Sequence, residues 1–173
     1  MREKKNRIVF LGYNNKETSL INFLKKKNFR VVSYKQKKPS KISLNNDDII
    51  ISFGYRHIIK KNKLKKLKKT PINLHMSYLP YNRGSHPNFW SFINNTPKGI
   101  TIHEIDEGID TGKIILQKKI LFKKGKKITF KNSYNLLFIE LEKLFKKNYL
   151  YILSGNYKTK KNKKVGKIHL KKD

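Results

Sequence analysis

The chain has 173 residues, a length that suits one domain with a hydrophobic core of its own. It contains no cysteine, which excludes disulfides, a thiolate nucleophile and cysteine-ligated zinc or iron–sulfur centres. No run of about 18 uncharged apolar residues occurs, so no transmembrane helix is expected. Too few apolar residues follow the charged N-terminus to form a secretory signal, and a cytoplasmic location is therefore expected.

The formal net charge of +31 raises the question of a nucleic-acid partner. Only five of the 42 basic residues are arginine, the residue that phosphate and base recognition favours. The lysines are spread through the whole chain beside many Asn, Ile, Phe and Tyr residues, and alanine is absent. This profile favours compositional drift toward lysine at solvated positions over a dedicated nucleic-acid site. A field this positive would still attract phosphorylated or polycarboxylate substrates.

Strand and helix patterns alternate through the N-terminal half of the chain. Apolar and β-branched runs predict strands, whereas apolar residues at helical spacing predict helices. In chain order these are a strand over Arg7–Gly12, a helix over Thr18–Lys27, a strand over Arg30–Tyr34, a polar loop over Lys35–Asn46, a strand over Asp48–Phe53, a basic helix over Ile59–Lys68 and a strand over Pro71–His75. The continuous apolar run of the third strand is typical of a strand that is covered on both faces.

The alternation continues after a polar and aromatic loop over Leu79–Trp90. In chain order the patterns predict a helix over Asn88–Ile93, strands over Gly99–Ile105 and Ile114–Phe122, and a long last helix capped by Thr129 or Ser133. One apolar stripe on that helix would serve a core or a homodimer equally well; it consists of Tyr134, Leu137, Phe138, Leu141, Leu144, Phe145 and Ile152. The alternation predicts an α/β fold with an open, mostly parallel, twisted sheet and flanking helices. Ligands of such folds bind at the carboxyl ends of the strands.

We expect one domain over residues 1–155, followed by a basic C-terminal tail over residues 156–173. Lysine dominates the tail, and a charge run of this kind is usually solvated. The piece Val165–Leu170 is less charged, and an alternative is that it lies against the domain. The solvated tail is the favoured interpretation.

Three polar residues carry the strongest chemical signal. Asn73 and His75 end a short apolar run, and the alternation of a strand points both side chains to one side. Asp110 lies in a glycine-flanked loop before the next strand. An amide, an imidazole and a carboxylate that come together could stabilise a tetrahedral oxyanion and move a proton. This combination indicates acyl-transfer chemistry.

Several linked motifs resemble those of the folate-dependent formyltransferases. These motifs are Asn73-Leu74-His75, Leu79-Pro80, Arg83-Gly84, Gly99-Ile100-Thr101-Ile102-His103 and Asp106-Glu107-Gly108-Ile109-Asp110-Thr111-Gly112. The family includes glycinamide ribonucleotide transformylase, methionyl-tRNA formyltransferase and the sugar N-formyltransferases. The match covers residues 48–122 in the family's order and spacing.

The resemblance implies a Rossmann-like catalytic domain in which Asn73, His75 and Asp110 are the catalytic set. It implies 10-formyltetrahydrofolate as formyl donor and co-substrate, and an acceptor that carries a primary amine. It also implies that two loops hold the pterin, through Gly54, Tyr55, Arg56, His57 and Ile58 in the first loop and Glu107, Gly108 and Ile109 in the second.

Two departures from the family bear on the acceptor. The first loop, residues 12–19, differs from the glycine-rich phosphate loop of the ribonucleotide enzyme. The chain also stops where methionyl-tRNA formyltransferase continues into a tRNA-contacting domain. The resemblance therefore favours the short members that formylate amino sugars, usually nucleotide-linked. Candidate substrate contacts in the long loop are Tyr81, Asn82, Arg83 and Gly84, and Arg83 could instead brace the backbone.

Two other functions stay open from the sequence. One is formyl transfer to a different small amine, and the other is nucleic-acid binding by a lysine-rich protein on a decayed formyltransferase scaffold. No metal is expected, because His57 and His86 lack ligand spacing with His75. His103 is interpreted as a structural strand histidine. No membrane partner is expected.

Overall fold

The computed structural model describes residues 7–122, 128–163 and 166–170. Its strands are β1 (Arg7–Gly12), β2 (Arg30–Tyr34), β3 (Ile49–Phe53), β4 (Ile72–His75), β5 (Arg83–Gly84), β6 (Gly99–Glu104), β7 (Ile114–Lys119) and β8 (Ile168–His169). Its helices are α1 (Leu20–Lys26), α2 (Lys61–Leu64), α3 (Pro87–Ile93) and α4 (Phe130–Ser154), and a 3₁₀ turn covers Pro39–Lys41. Within these described ranges, no helix combines the length and the apolar character that a membrane crossing needs.

Six of the strands form one open sheet, in the order β2-β1-β3-β4-β6-β7. The first four strands along the chain run parallel to one another, as strands joined by long crossovers do. β6 runs antiparallel to β4, and β7 runs antiparallel to β6. The predicted α/β class, with an open and mostly parallel sheet, is confirmed.

The main core lies between one face of this sheet and the helices α1 and α4. Side chains of a strand alternate between the two faces, so every second strand residue points to these helices. The core cluster includes Phe10, Ile51, Leu74 and Ile102 from the sheet, Leu24 from α1, and Leu141 and Phe145 from α4. Full burial of each such side chain contributes about 1.5–3 kcal/mol. This packing makes the sheet a rigid support for whatever lies on its other face.

The opposite face is apolar in one part and polar in another. Val9, Leu11 and Ile50 form a smaller buried cluster there with Ile42 and Ile59. Further across the sheet, the alternation brings polar side chains to the same face from β4 and β6. The candidate catalytic residues stand on this polar part, next to a packed apolar neighbour.

Two details of the predicted helices are settled by the structure. The predicted basic helix over Ile59–Lys68 is wrong in its length, because α2 has a single turn, Lys61–Leu64. Lysines at short intervals repel one another along a longer helix, and the backbone N–H of Lys68 bonds to Asn46 instead. The long last helix is confirmed, and its cap is Thr129, whose Oγ1 accepts a bond from the Asn132 N–H at 3.1 Å.

The C-terminal segment, residues 156–170, lies against the domain wherever it is described. Lys160 forms a β-bridge with Ile114, and β8 pairs in parallel with β5. His169 is buried and stacks on Trp90, with ring centroids 4.1 Å apart. The alternative that Val165–Leu170 lies against the domain is therefore correct for its described residues, 166–170, and the favoured interpretation of a solvated tail is wrong there. Residues 160 and 162 also bond to the domain, which the sequence did not predict. A folding unit that ends at residue 155 stays a prediction.

Candidate active site

The paired strands β4 and β6 place three polar side chains side by side. Asn73 and His75 are two residues apart on β4, so both point to the polar face of the sheet, as predicted. In the antiparallel register Asn73 lies opposite His103, and its Nδ2 is 3.2 Å from the Nε2 of His103. The rings of His75 and His103 meet edge to face with centroids 6.1 Å apart.

Asp110 reaches these residues from the loop between β6 and β7. Its Oδ1 accepts a hydrogen bond from the Nδ2 of Asn73 at 3.1 Å, and its Oδ2 lies 3.6 Å from the Nδ1 of His75. The backbone N–H of Gly84 donates to the same Oδ2 at 2.8 Å. The carboxamide, the imidazole and the carboxylate predicted as a set therefore converge in the structure.

Burial and the facing groups set the charges of this cluster. Burial alone would raise the pKa of Asp110, but the His75 imidazole, the neighbouring His103 ring and the Gly84 amide hold it well below its ordinary value. Burial lowers the pKa of His75, and His103 adds to this effect, while the Asp110 carboxylate and the Asn82 carbonyl act in the opposite direction. At neutral pH the site therefore holds an ionised carboxylate beside a largely neutral imidazole.

His103 belongs to this cluster in addition to its strand position. Its Nε2 lies 3.4 Å from Asp110 Oδ1, and its Nδ1 is 2.7 Å from the backbone oxygen of Glu104. The carbonyl fixes the ring proton on Nδ1, which leaves Nε2 to accept a bond from Asn73. From the sequence His103 is expected to be a structural strand histidine, and no motif connects it to the site. The alternation of β6 was visible, but its register against β4 was not.

The loop before α3 supports the site with buried side chains. Asn82 Nδ2 donates to the Thr96 hydroxyl at 2.6 Å. The backbone carbonyl oxygen of Asn82 lies 3.3 Å from the Nε2 of His75. Arg83 is 6% exposed, and its Nη2 donates to the carbonyl of Gly166 at 3.0 Å. The structure thus shows the bracing role that the sequence left open for Arg83. Direct contact of Tyr81, Asn82, Arg83 or Gly84 with a substrate stays a prediction.

Of the two loops implied to hold a pterin, the first precedes α2 in the chain and the second is joined to α2 by an ion pair. In the first loop, the side chain of Gln36 bonds to both the carbonyl of Gly54 and the amide of Arg56. Gln36 O also lies 2.9 Å from His57 Nε2. In the second loop, Glu107 forms a salt bridge of 2.6 Å with Lys61, which begins α2. Tyr55, Gly108 and Ile109 lie in the same loops, and Ile58 is 62% exposed. Contact of these residues with a cofactor stays a prediction.

A cavity of about 300 Å³ is lined in part by Met76, the residue that follows His75 in the chain. Its lining is mainly apolar and aromatic and consists of Met76, His86, Pro87, Asn88, Phe89, Phe130, Lys131 and Tyr134. Within the described part of the chain, no group of three or more His, Asp or Glu side chains is arranged to hold a metal ion. An apolar and aromatic lining of this kind suits an organic ligand.

Comparison with known proteins agrees with this chemistry. Residues 3–133 match the protein family described as Formyl transferase. The chain belongs to the formyl transferase family. This membership confirms the resemblance that the linked motifs indicated.

A solved structure of the family matches nearly the whole chain. It is the formyltransferase PseJ from Anoxybacillus kamchatkensis, in complex with UDP-4,6-dideoxy-4-formamido-L-AltNAc and tetrahydrofolate. The two proteins are 41% identical, the match covers 96% of this chain and 87% of the other, and the TM-score is 0.87. The folds of this family member and of PseJ therefore agree over nearly the whole chain.

Curated relatives match over shorter stretches. The GDP-perosamine N-formyltransferase of Brucella melitensis is 45% identical over 42% of this chain and 29% of its own length. The dTDP-4-amino-4,6-dideoxyglucose formyltransferase of Mycobacterium tuberculosis is 33% identical over 59% of this chain and 43% of its own. The family member described here thus spans less than half the length of these curated relatives.

Proposed function

We propose that this protein transfers a formyl group from 10-formyltetrahydrofolate to the primary amine of a nucleotide-linked amino sugar. The observation that carries this proposal is the convergence of Asn73, His75 and Asp110 on one buried face of the sheet. Membership of the formyl transferase family supports the donor. The similarity to PseJ, whose structure contains a UDP-linked formamido sugar and tetrahydrofolate, supports the acceptor.

The polar cluster can stabilise the charge that develops during transfer. The donor supplies a formyl carbon, and the new bond joins that carbon to the acceptor nitrogen while the bond to the folate nitrogen breaks. The His75 ring can donate a hydrogen bond to the developing oxyanion. Asn73 Nδ2 can do the same when the oxyanion replaces His103 as acceptor of its second N–H. A neutral His75 can take the proton that the acceptor amine loses and return one to the folate nitrogen. The net result is a formamide and tetrahydrofolate.

Asp110 acts on this chemistry through its neighbours. Its two oxygens accept bonds from Asn73 and Gly84, and one of them faces the Nδ1 of His75. The carboxylate thereby orients the amide and the imidazole and offsets the effect of burial on the charged form of His75. Holding the amine and the formyl group in register would supply most of the remaining acceleration.

Two surfaces of the protein suit the two substrates. The exposed side chain of Ile58 offers an apolar contact beside the backbone groups of its loop, where a flat pterin ring could pack. The cavity beyond His75 offers aromatic rings and Lys131, which suit a sugar nucleotide and its phosphates. We therefore propose the first surface for the donor and the cavity for the acceptor.

The test is a transfer assay with purified protein. The protein is incubated with 10-formyltetrahydrofolate and a panel of nucleotide-linked amino sugars, and tetrahydrofolate release and the formylated sugar are measured. We expect turnover with at least one UDP-linked amino sugar. Asp110→Asn should fold, bind folate and lose at least about 10²-fold in rate. Folate binding without turnover on any nucleotide sugar would contradict the proposed acceptor.

The same assay separates the two alternatives from the sequence. Turnover only with a free amine would favour a different small acceptor. Tight binding of nucleic acid that weakens steeply with salt, without folate binding, would favour the decayed-scaffold function. A cytoplasmic location and a homodimer remain predictions, and sedimentation of the purified protein would test the homodimer.

A further inference from the structure

Asp110 holds a backbone conformation that side chains rarely adopt. Its φ angle is +50°, in the left-handed region. For a residue other than glycine this conformation costs about 1–2 kcal/mol relative to the right-handed helical region. The loop between β6 and β7 therefore needs support from elsewhere to keep Asp110 in place.

Asn162 supplies that support from the C-terminal segment. Its Nδ2 donates to the carbonyl of Asp110 at 2.9 Å and to the carbonyl of Gly112 at 3.1 Å. Asn162 is 8% exposed, so these bonds form away from bulk water. One side-chain amide thus fixes the peptide group after Asp110 and the peptide group after Gly112, and with them the direction of the Asp110 side chain.

The segment on each side of Asn162 is itself held in register. Before it, Ile114 and Lys160 exchange two backbone hydrogen bonds of 2.9 and 2.8 Å. After it, the carbonyl of Gly166 accepts the bond from the buried Arg83. These anchors fix where Asn162 stands relative to the Asp110 loop.

The same segment supports the other donor on the Asp110 carboxylate. Gly84, whose N–H bonds to Asp110, pairs with His169 in the small β5–β8 sheet. The backbone N–H of Ser85 also donates to the carbonyl of His169 at 2.8 Å. The C-terminal segment therefore contacts the surroundings of Asp110 from two directions.

We infer that Asn162 is a positioning residue for Asp110, and that the C-terminal segment forms part of the active site. This inference rests on the proposed transfer reaction. Asn162 acts only through the two carbonyls that it binds. Its loss should leave substrate binding largely intact and slow the chemical step.

The test compares Asn162→Ala with Asn148→Ala. Asn148 lies in α4 and makes the same kind of bond, from Nδ2 to the Leu144 carbonyl at 2.8 Å, away from the site. Asn162→Ala should lower kcat about 10–100-fold, with KM for both substrates nearly unchanged, because small misplacements of catalytic groups have effects of this size. Asn148→Ala should keep the wild-type kcat.

Asn162→Ala is expected to remain folded. Among the described residues the Oδ1 of Asn162 has no hydrogen-bond partner, so alanine removes a buried unpaired oxygen as well as two bonds. Thermal unfolding checks this point. If the alanine variant does not fold, Asn162→Ser, whose hydroxyl is too short to reach both carbonyls, takes its place.

A second readout does not depend on activity. NMR titration of His75 reports how closely the Asp110 carboxylate faces its ring. Asp110→Asn is the reference for loss of that charge. The other groups that face the ring are His103 and the Asn82 backbone carbonyl. Asn162→Ala should shift the His75 titration in the same direction as Asp110→Asn, toward lower pH. Asn148→Ala should leave it in place.

The outcomes separate this inference from the proposed function. An unchanged His75 titration in a folded Asn162 variant overturns the positioning role, even if the rate falls. An absence of transfer by the wild-type protein overturns the proposed function, while the titration still decides the role of Asn162. Equal losses of kcat in the Asn162 and Asn148 variants would show a general effect on the fold and would also overturn the inference.

Discussion

Two regions with different kinds of support meet in the candidate site. Asn73, His75 and His103 stand on the paired strands β4 and β6, where backbone hydrogen bonds fix the position of every residue. Asp110 stands on a loop, has a left-handed backbone conformation, and accepts hydrogen bonds from Gly84 and Asn162. The strand residues belong to the ladder of the large sheet, whereas Asp110 lies outside any strand.

This difference predicts which substitutions should leave the geometry of the site intact. On the strand pair, the register survives the loss of one side chain because the backbone carries it. We therefore expect substitutions there to remove chemistry and leave the geometry of the neighbours intact. On the loop, the position of Asp110 depends on a few hydrogen bonds from distant segments, so the loss of Gly84 or Asn162 as a donor should move Asp110.

The largest expected effect comes from the strand pair. His75→Gln should lower kcat/KM about 10²–10⁴-fold, the range for loss of a residue that transfers protons. His103→Gln should cost less, because this ring orients the Asn73 amide and Asp110 and its Nδ1 is bound to the Glu104 carbonyl. Initial rates of formyl transfer measure both. Equal losses in two folded variants would show that His103 takes part in the chemistry itself.

An intermediate effect should come from the loop side, through Gly84→Ala. Gly84 has φ +88°, and a Cβ there would lie 2.2 Å from the backbone oxygen of His169. The β5–β8 pairing must open, which displaces the N–H that binds Asp110. We expect a loss of roughly 10-fold or more in kcat, as small misplacements give. The free energy of unfolding should fall by more than the roughly 1 kcal/mol of an ordinary left-handed glycine.

Gly155→Ala is the matched control for Gly84→Ala. Gly155 has a similar φ of +78° at the end of α4, but a Cβ there meets nothing within 4 Å. It should lose only about 1 kcal/mol of stability and keep the wild-type kcat. Rate and chemical denaturation curves are measured for both variants. A Gly84 variant that behaves like the Gly155 variant would show that the C-terminal contacts do not support the site.

The smallest expected effect is a dependence of stability on pH. The folded pKa of His75 lies below its unfolded value of about 6.5, so on acidification the unfolded chain binds a proton that the folded protein binds less readily. Stability should therefore fall as the pH is lowered through about 6.5, until the folded pKa is reached. The pKa of Asp110 is lowered from 3.8, and its contribution is lost only in more acidic solution.

Chemical denaturation at pH 7.5 and pH 5.5 measures this dependence. His75→Gln should flatten the slope between these values, whereas His86→Gln, which removes an exposed histidine, should keep it. If the His75 variant keeps the full wild-type slope, another group causes the acid sensitivity. His75 would then not be the buried neutral histidine that causes the loss of stability in acid.

Sequence patterns determined the six strands of the large sheet, the long helix and the strand half of the site. Period-two alternation placed Asn73 and His75 on one face, and the linked motifs identified the family and singled out Asp110. These features depend on local residue spacing or on the order of motifs along the chain, and the sequence shows spacing and order directly. The extent of α2 could not be predicted because apolar spacing does not show where lysine repulsion ends a helix.

The tertiary structure alone decided which residues surround Asp110. His103 joined the site through the register of β6 against β4, and Asn162 reached the Asp110 loop from 52 positions away. Residues 157–163 and 166–170 looked like a solvated lysine tail because charge dominates their composition. Their docking depends on a few side-chain amides, one stacked ring pair and backbone hydrogen bonds. Such contacts leave no periodic signal, since each is made between segments whose approach depends on the whole fold.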